Sequence, residues 1–260
     1  MTSTRDRRLA VLTKPKDLQR AAELLSETTG IQPLDALIAM QHSPSVLHVP
    51  MTEGQGAAMV ALLHGLGVKS VVVPCMELPN FENPVVIHHA RCLPAAFEIL
   101  ETSGAPLGQI PWGSIAVAAI GAIPGRTAHH YSGQARTLVS AAPSAPVGPI
   151  DVPDTSLMEL WILRRNHSAA YRLDHRRFNY DSLGDRKSTS ATANFRLFAK
   201  EFVSHLSAAS LTDSTCAYLG QAPQSAYEFA SRDDLQRAAL LHWVIFRTTM
   251  SVVEDAPVQP

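Results

Sequence analysis

Apolar and polar positions in the first quarter of the chain follow the period of amphipathic helices. Between residues 18 and 25, apolar side chains recur at intervals of three and four, which predicts one buried helix face. A second segment, residues 34–38, repeats this spacing. Gly30 suits the left-handed residue that ends a helix, and Pro33 suits the first turn of the next helix, where its missing N–H costs no hydrogen bond. The stretch between them is therefore predicted to be a tight corner between two helices.

Three apolar runs and a third helix complete the pattern of this region. The runs are typical of short strands and comprise residues 9–13, 45–49 and 68–73. Thr52 and Gln55 have the spacing of a capping box, which begins a helix. From Met59 to Leu66 an apolar stripe that includes Leu62 predicts the buried face of that helix. The predicted order is β-α-α-β-α-β, and we expect residues 1–76 to fold alone.

The helix boundaries in this region follow a recognisable order. A Thr-Gly step ends the first helix, a short second helix follows, and a threonine cap precedes the third helix. The residues concerned are Thr29-Gly30, Leu34 to Met40, Thr52 and Leu66-Gly67-Val68. Over residues 8–74 this pattern resembles the C-terminal domain of the large-subunit ribosomal stalk protein. The resemblance implies this fold. The Clp protease adaptor has a fold of the same class, which keeps a generic adaptor role open. The stalk family binds translation factors through basic residues. The corresponding positions here are Leu18, Glu23, Ser26 and Leu37, none of which is basic, so no binding residue is carried over.

The remaining three-quarters of the chain is rich in strand patterns. Two prolines and two asparagines between residues 76 and 84 indicate a linker at residues 76–83, and Pro, Ser and Ala dominate a predicted loop at 142–156. Strand candidates are residues 84–92, 95–100, 110–123, 135–141, 157–165 and 169–178. Apolar spacings of three and four from Phe195 to Leu206, and a capped apolar segment from Ser231 to Phe246, predict C-terminal helices.

These patterns predict a two-domain α+β protein. Residues 1–75 form the stalk-like domain, and residues 84–250 form a small antiparallel sheet or barrel closed by C-terminal helices. The apolar run at 110–121 faintly resembles strands of pleckstrin-homology-like domains. That resemblance implies a fold of this kind for the second domain and no functional residue.

The composition narrows the class of protein. A hydrophobic fraction of 46% and a charged fraction of 17% are typical of a folded globular chain, and 22 basic against 23 acidic residues give a net charge of −1. No global field therefore attracts nucleic acid or an anionic membrane. Three cysteines are too few, and odd in number, for a disulfide framework. This favours a reducing compartment and therefore predicts a cytoplasmic protein. We expect no signal peptide and no membrane span, because the apolar runs fall well short of about 20 residues.

Cysteine and histidine residues lie close together near the predicted linker. Cys75, His88 and Cys92 carry the thiolate and imidazole groups that zinc prefers, and His89 follows directly. Their intervals match no standard zinc motif, and neighbouring histidines on a strand face opposite sides of the sheet. Ordinary strand residues are the favoured interpretation, and no cofactor is predicted.

A basic tract, defined as residues 160–200, stands out from the neutral chain. It contains nine Lys and Arg residues against three Asp, a local charge of +6. Arg172, Arg176 and Arg177 are candidates for binding an anionic partner, because the arginine fork fits carboxylate and phosphate groups. The competing hypothesis is structural: the same arginines hold the Asp-rich turn at 181–185. Aromatic residues interleave with this charge, yet a nucleic-acid partner is disfavoured.

Two further segments carry candidate chemistry without a complete motif. Residues 176–186 hold turn-forming residues, with Phe178 and Tyr180 predicted to anchor the turn to the core. His129, His130 and Ser132 could serve nucleophilic catalysis, but no acid partner is identifiable and a surface loop is the favoured interpretation. The sequence contains no phosphate-loop, nucleophile-elbow or metalloprotease motif.

The function expected from the sequence is a non-catalytic protein-interaction or regulatory role with an unknown protein partner. No catalytic residue is predicted. The alternative is binding of nucleic acid or another anionic ligand, or an unrecognised enzymatic activity, through the arginine-rich residues 164–186.

Overall fold

The computed structural model describes residues 5–125, 156–165 and 167–254. The strand candidate at 135–141, the His129–Ser132 segment and residues 142–155 of the predicted loop lie outside the described residues.

The N-terminal unit has the predicted β-α-α-β-α-β order. Its elements are β1 (Arg7–Val11), α1 (Leu18–Thr29), α2 (Pro33–Gln41), β2 (Ser45–Val46), α3 (Glu53–Gly65) and β3 (Ser70–Pro74). The three strands form an antiparallel sheet in the order β2-β1-β3, with Leu9 opposite Val72. One face of this sheet packs on the three helices and forms a core within the unit.

Local signals account for the helix boundaries of this unit. Gly30 closes α1 with a φ of 76°, a left-handed conformation that glycine adopts without a Cβ clash. Pro33 occupies the first turn of α2. The Thr52 hydroxyl accepts from the Gln55 N–H at 3.2 Å, and the Thr52 N–H donates to the Gln55 side chain at 3.0 Å. The predicted corner and capping box are confirmed.

The buried face of α3 differs from the predicted one at one position. Met59 and Leu63 are fully buried, whereas Leu62 is 41% exposed. Gly56 brings α3 against the Val72 side chain of β3, so the helix approaches the sheet along the line of 56, 59 and 63. Leu62 lies beside that line, and the prediction that it is a core residue is wrong.

The second part of the chain confirms the α+β class. Its strands are β4 (Asn80–Val86), β5 (Ala90–Cys92), β6 (Ala96–Leu100), β7 (Pro106–Pro111), β8 (Ile115–Ile123), β9 (Leu157–Arg164) and β10 (His167–Asp174). Its helices are α4 (Ala191–Val203), α5 (Asp213–Leu219) and α6 (Arg232–Glu254). In the described residues the strands form two open sheets, β4-β10-β9-β8 and β5-β6-β7, rather than a closed barrel.

The predicted linker is partly a strand. Residues 80–83 begin β4, which pairs in parallel with β10 at the edge of the four-stranded sheet. Pro84 lies within this strand, and an edge strand tolerates proline because one side of its backbone needs no partner. The proline and asparagine content that indicated a linker therefore marks an edge strand, and the strand candidate at 84–92 divides between β4 and β5.

Two cores flank the four-stranded sheet. On one face, α4 buries the predicted stripe of Phe195, Phe198 and Phe202. On the other face, α6 packs Trp243 and its neighbours against β8 and β9. This second core also contains Ala10, Val46 and Val73 from the N-terminal sheet, so α6 joins the two units. Independent folding of residues 1–76 stays a prediction. None of the helices described is long and apolar enough to cross a membrane.

Candidate anion-binding cleft

The strand pair β9 and β10 places charged side chains on the face that α6 covers. Leu160 and Leu173 pack into the core beneath α4, so the residues directly before and after each leucine on its strand face the opposite side of the sheet. In the antiparallel register Arg172 lies opposite Trp161, and Asp174 lies opposite Glu159. The alternation of apolar and charged residues along β10 therefore places Arg172 and Asp174 on one surface.

Glu159 anchors the arginines at this surface. Its side chain is fully buried and accepts hydrogen bonds from Arg232, with the shortest at 2.6 Å from Nη2 and two from Nε at 3.0 and 3.1 Å. The indole N–H of Trp161 donates to the same carboxylate at 3.0 Å, and Arg172 Nη1 lies 3.7 Å away. These hydrogen bonds raise the pKa of Arg232 above its ordinary value. The carboxylate thus fixes one side of two guanidinium groups.

Four arginines converge on one cleft beside this carboxylate. We define the arginine cleft by Arg172, Arg176, Arg177 and Arg232, which line a cavity of about 500 Å³. Its other walls are Ile123, Pro124, Gly125, Leu157, Asp174, Ala230 and Ser231. With Asp174 in the wall and Glu159 bound to Arg232, four positive charges face two negative ones, a surplus of +2. Asp233 also acts electrostatically on Arg232, but it does not line this cavity.

Several guanidinium N–H groups in the arginine cleft make no hydrogen bond to the described residues. Arg172 Nε is buried and has no hydrogen-bond partner among the described residues. Arg176 donates one bond, from Nη2 to the Ser156 carbonyl at 3.2 Å, and Arg177 Nε lies 3.8 Å from Asp174. A guanidinium carries five N–H donors, so the protein uses only part of this capacity. The Nε atoms of Arg164, Arg165 and Arg196, which do not line the cleft, are likewise buried without a partner in the described part of the chain, so it is the shared cavity and its surplus charge that favour an external acceptor here.

The structure brings together the three arginines that the basic tract singled out. The hypothesis that they hold the turn at 181–185 is wrong, because they contact Asp174, Glu159 and Ser156 instead. Asp181 is held by Lys187 at 2.6 Å and by the Asn179 amide at 2.9 Å. The aromatic anchors of that turn, Phe178 and Tyr180, are buried as predicted.

Four further cations of the basic tract are engaged elsewhere. Arg186 pairs with Glu201, and Lys187 pairs with Asp181. Arg165 lies over the Phe246 ring and Arg196 lies over the Tyr218 ring, at 4.9 and 5.4 Å from the ring centroids. The local charge of +6 therefore resolves into one cluster and several separate contacts.

Sequence reasoning missed Glu159 and Arg232, which complete the cleft. They are 73 positions apart in the chain, so no local pattern connects them. A signal existed at Glu159, which interrupts the apolar strand Leu157–Arg164. A charge in a buried strand requires a partner, and Arg232 at the start of α6 supplies it.

The cysteine and histidine candidates do not assemble into a site. Cys75 follows β3, and His88 lies in the connection between β4 and β5. Burial raises the pKa of the Cys92 thiol to about 12, which makes it a poor source of thiolate. The residues described include no group of three or more His, Cys, Asp or Glu side chains placed to hold a metal ion.

A second surface feature lies on the N-terminal unit. Leu34 and Ile38 of α2 are 66% and 46% exposed. Ile38 borders a largely apolar groove of about 280 Å³ between α2, the segment after β2 and Arg237 of α6. We call this the α2 groove, and its remaining wall residues are Asp35, Ala39, His42, Ser45, Val46, Leu47, His48 and Val49.

Comparison with protein-family models, with curated proteins and with solved structures gives no match to this chain.

Proposed function

We propose that this protein is a non-catalytic regulatory module that binds an anionic ligand in the arginine cleft. The observation that carries the proposal is the convergence of four guanidinium groups on one cavity of about 500 Å³ with only two carboxylates to balance them. Cavities of this size commonly hold small ligands. Surplus positive charge in a partly enclosed site attracts and retains an anion.

The residue types in the cleft favour binding over catalysis. A guanidinium stays protonated at physiological pH, so it donates hydrogen bonds and charge but transfers no proton. Glu159 is saturated by Arg232 and Trp161, and Asp174 lies beside Arg177. The groups that could exchange protons thus serve to position the arginines. Recognition of an anion is the chemistry that remains.

Isothermal titration of the full chain with inorganic phosphate at low ionic strength tests the proposal. We expect saturable binding by the wild type and a loss of about tenfold or more in Arg172→Gln, which removes a partly buried charge from the cavity wall. Lys187→Gln is the matched control, because Lys187 belongs to the same tract but pairs with Asp181. An absence of binding by the wild type, or an equal loss in both variants, would overturn the proposal.

A protein-interaction role is the second candidate, and the α2 groove favours it. Exposed Leu34 and Ile38 beside an apolar groove offer surface that a partner could bury. Ile38→Asp should release a partner that the wild type retains, while Leu62→Asp, an equally exposed change on α3, should not. Loss of the same partner in both variants would show that the groove is not the contact.

The remaining expectations from the sequence stay predictions. They are the stalk-like fold family of residues 8–74, the pleckstrin-homology-like character of the second part and the cytoplasmic location. An adaptor role would fit the α2 groove, and a regulatory role would fit an anion that binds where α6 begins.

A further inference from the structure

We infer that the arginine cleft selects a small-molecule phosphomonoester, that is, a compact dianionic group on an apolar body, rather than a polyanion such as nucleic acid. The inference rests on the proposed function and adds the class of ligand. Three properties of the cleft support it: its surplus charge, the confinement of its cations and its apolar wall.

The surplus charge matches a dianion. Arg172, Arg176, Arg177 and Arg232 face Glu159 and Asp174, which leaves +2. A phosphomonoester carries about −1.5 to −2 near neutral pH, because its second pKa is about 6. A carboxylate, a sulfate ester or one phosphodiester carries a single negative charge and would leave part of the surplus unbalanced. The guanidinium fork also fits phosphate oxygens in pairs.

The cations are confined to one place. Nucleic-acid binding requires a positively charged path along several successive phosphates, often with exposed aromatic rings for stacking. Here Arg186 and Lys187 are paired with carboxylates, and Arg165 and Arg196 lie over aromatic rings of the fold. Phe178 and Tyr180, the interleaved rings, are buried in the core. Seven of the nine cations of the tract thus lie in one compact cluster or are held by contacts within the fold, and only Arg164 and Lys200 fall outside both groups.

An apolar wall faces the same cavity. Ile123 and Leu157 come from the paired ends of β8 and β9, and Ala230 precedes α6. A free phosphate ion would leave this wall in contact with water, whereas a ligand with an aromatic or aliphatic body would cover it. The side chains thus suit a phosphate group at the arginines and an apolar group beside it.

Titration with phenyl phosphate, phenyl sulfate and a short single-stranded oligonucleotide tests this inference. The first two probes have nearly the same shape and differ in charge. At about pH 8, well above the second phosphate pKa of about 6, we expect phenyl phosphate to bind about tenfold or more tightly than phenyl sulfate. The difference should shrink at about pH 5, where the phosphate becomes a monoanion. The oligonucleotide should bind more weakly than phenyl phosphate.

Variants assign the binding to the cleft. Arg172→Gln should remove most of the preference for phosphate over sulfate, and Lys187→Gln should keep it. Arg177→Gln serves as a second test if Arg172→Gln fails to fold, because the Arg177 side chain is 75% exposed and its loss spares the core. Equal binding of the two phenyl esters, or tighter binding of the oligonucleotide, would overturn the inference while leaving anion binding intact. If none of the probes binds, the proposed function itself fails.

Discussion

Two buried glutamates in this protein bind arginine in different ways. Glu98 lies on β6 between Arg91 of β5 and Gln109 of β7, each directly opposite in the register of the three-stranded sheet. Arg91 Nε donates to it at 2.6 Å and the Gln109 amide donates at 2.9 Å. These hydrogen bonds, first from Gln109 and then from Arg91, lower the pKa of Glu98. One carboxylate, one cation and one amide complete the set.

Glu159 instead binds an arginine from a distant helix and lies near a second one on the neighbouring strand. Arg232 reaches it from α6 and Arg172 approaches from β10, while Arg176 and Arg177 line the same cavity. At Glu98 the charges balance within a cross-strand triplet. At Glu159 they do not balance, and the surplus faces a cavity. The comparison shows that a buried carboxylate can either complete a balanced ion pair or hold arginines at the wall of a cavity.

The largest expected effect is on the stability of the Glu159 network. Arg232→Ala leaves a fully buried carboxylate with only Trp161 and the more distant Arg172, and we expect the free energy of unfolding to fall by about 3 kcal/mol. Urea denaturation at neutral pH measures the change. Arg91→Ala is the matched control, because Gln109 still donates to Glu98 and water can reach the site of the lost side chain. A larger loss in Arg91→Ala would contradict the contrast between the two glutamates.

The next largest expected effect is a pH dependence of the free energy of unfolding, and it comes from His175, a buried histidine beside the arginine cleft. Burial holds the pKa of His175 below its ordinary value of 6.5. Between that value and the lower folded pKa, the unfolded chain binds more protons than the folded one, so acid destabilises the fold. We expect the free energy of unfolding to fall as the pH drops below 6.5, with a slope of at most about 1.4 kcal/mol per pH unit for this one proton.

Denaturation curves from neutral to mildly acidic pH measure this slope. His175→Gln should flatten it, because the glutamine does not titrate. His48, whose pKa is lowered first by burial and then by Arg8 and Arg237, accounts for a further part of the slope and is measured separately in His48→Gln. An unchanged slope in His175→Gln would show that His175 does not stay neutral in the fold.

Arg176→Gln is expected to have the smallest effect on stability, and it therefore distinguishes a loss of ligand binding from a loss of folding. The Arg176 guanidinium is exposed and donates one bond to the Ser156 carbonyl, so Arg176→Gln should cost about 1 kcal/mol or less. The affinity of this variant protein for phosphate should nevertheless fall severalfold, because one of the four cations of the arginine cleft is lost. Paired unfolding and titration experiments measure both quantities. Unchanged affinity would place Arg176 outside the binding site.

The sequence predicted the N-terminal unit well because its signals are local. Gly30, Pro33 and the Thr52–Gln55 capping box each act within a few residues, and each is found as predicted. Leu62 was misplaced because a stripe of apolar residues does not show which edge of the stripe approaches the sheet. That choice depends on the close contact of Gly56 with Val72, which is a tertiary feature.

The candidate site was predicted only in part. Arg172, Arg176 and Arg177 stood out because their charge departs from the neutral composition. Their partners did not, since Arg232 meets Glu159 across 73 positions of chain. The start of β4, residues 80–83, was mistaken for a linker because an edge strand and a linker share proline and asparagine. Patterns along a chain thus indicate which residues carry unusual charge, while the packing of α6 on the sheet determines which of them meet.

The most direct test of the account is to observe the Arg172 side chain while phosphate is added. Arg172 lines the arginine cleft and its Nε–H has no acceptor among the described residues, so a bound anion should change the resonance of this group. In two-dimensional nitrogen–proton NMR of the full chain, we predict that the Arg172 Nε–H resonance shifts in a saturable manner as inorganic phosphate is added. The Arg91 resonance, whose N–H is bound to Glu98, should stay in place. An unchanged Arg172 resonance, with shifts at Arg186 or Lys187 instead, would contradict the account.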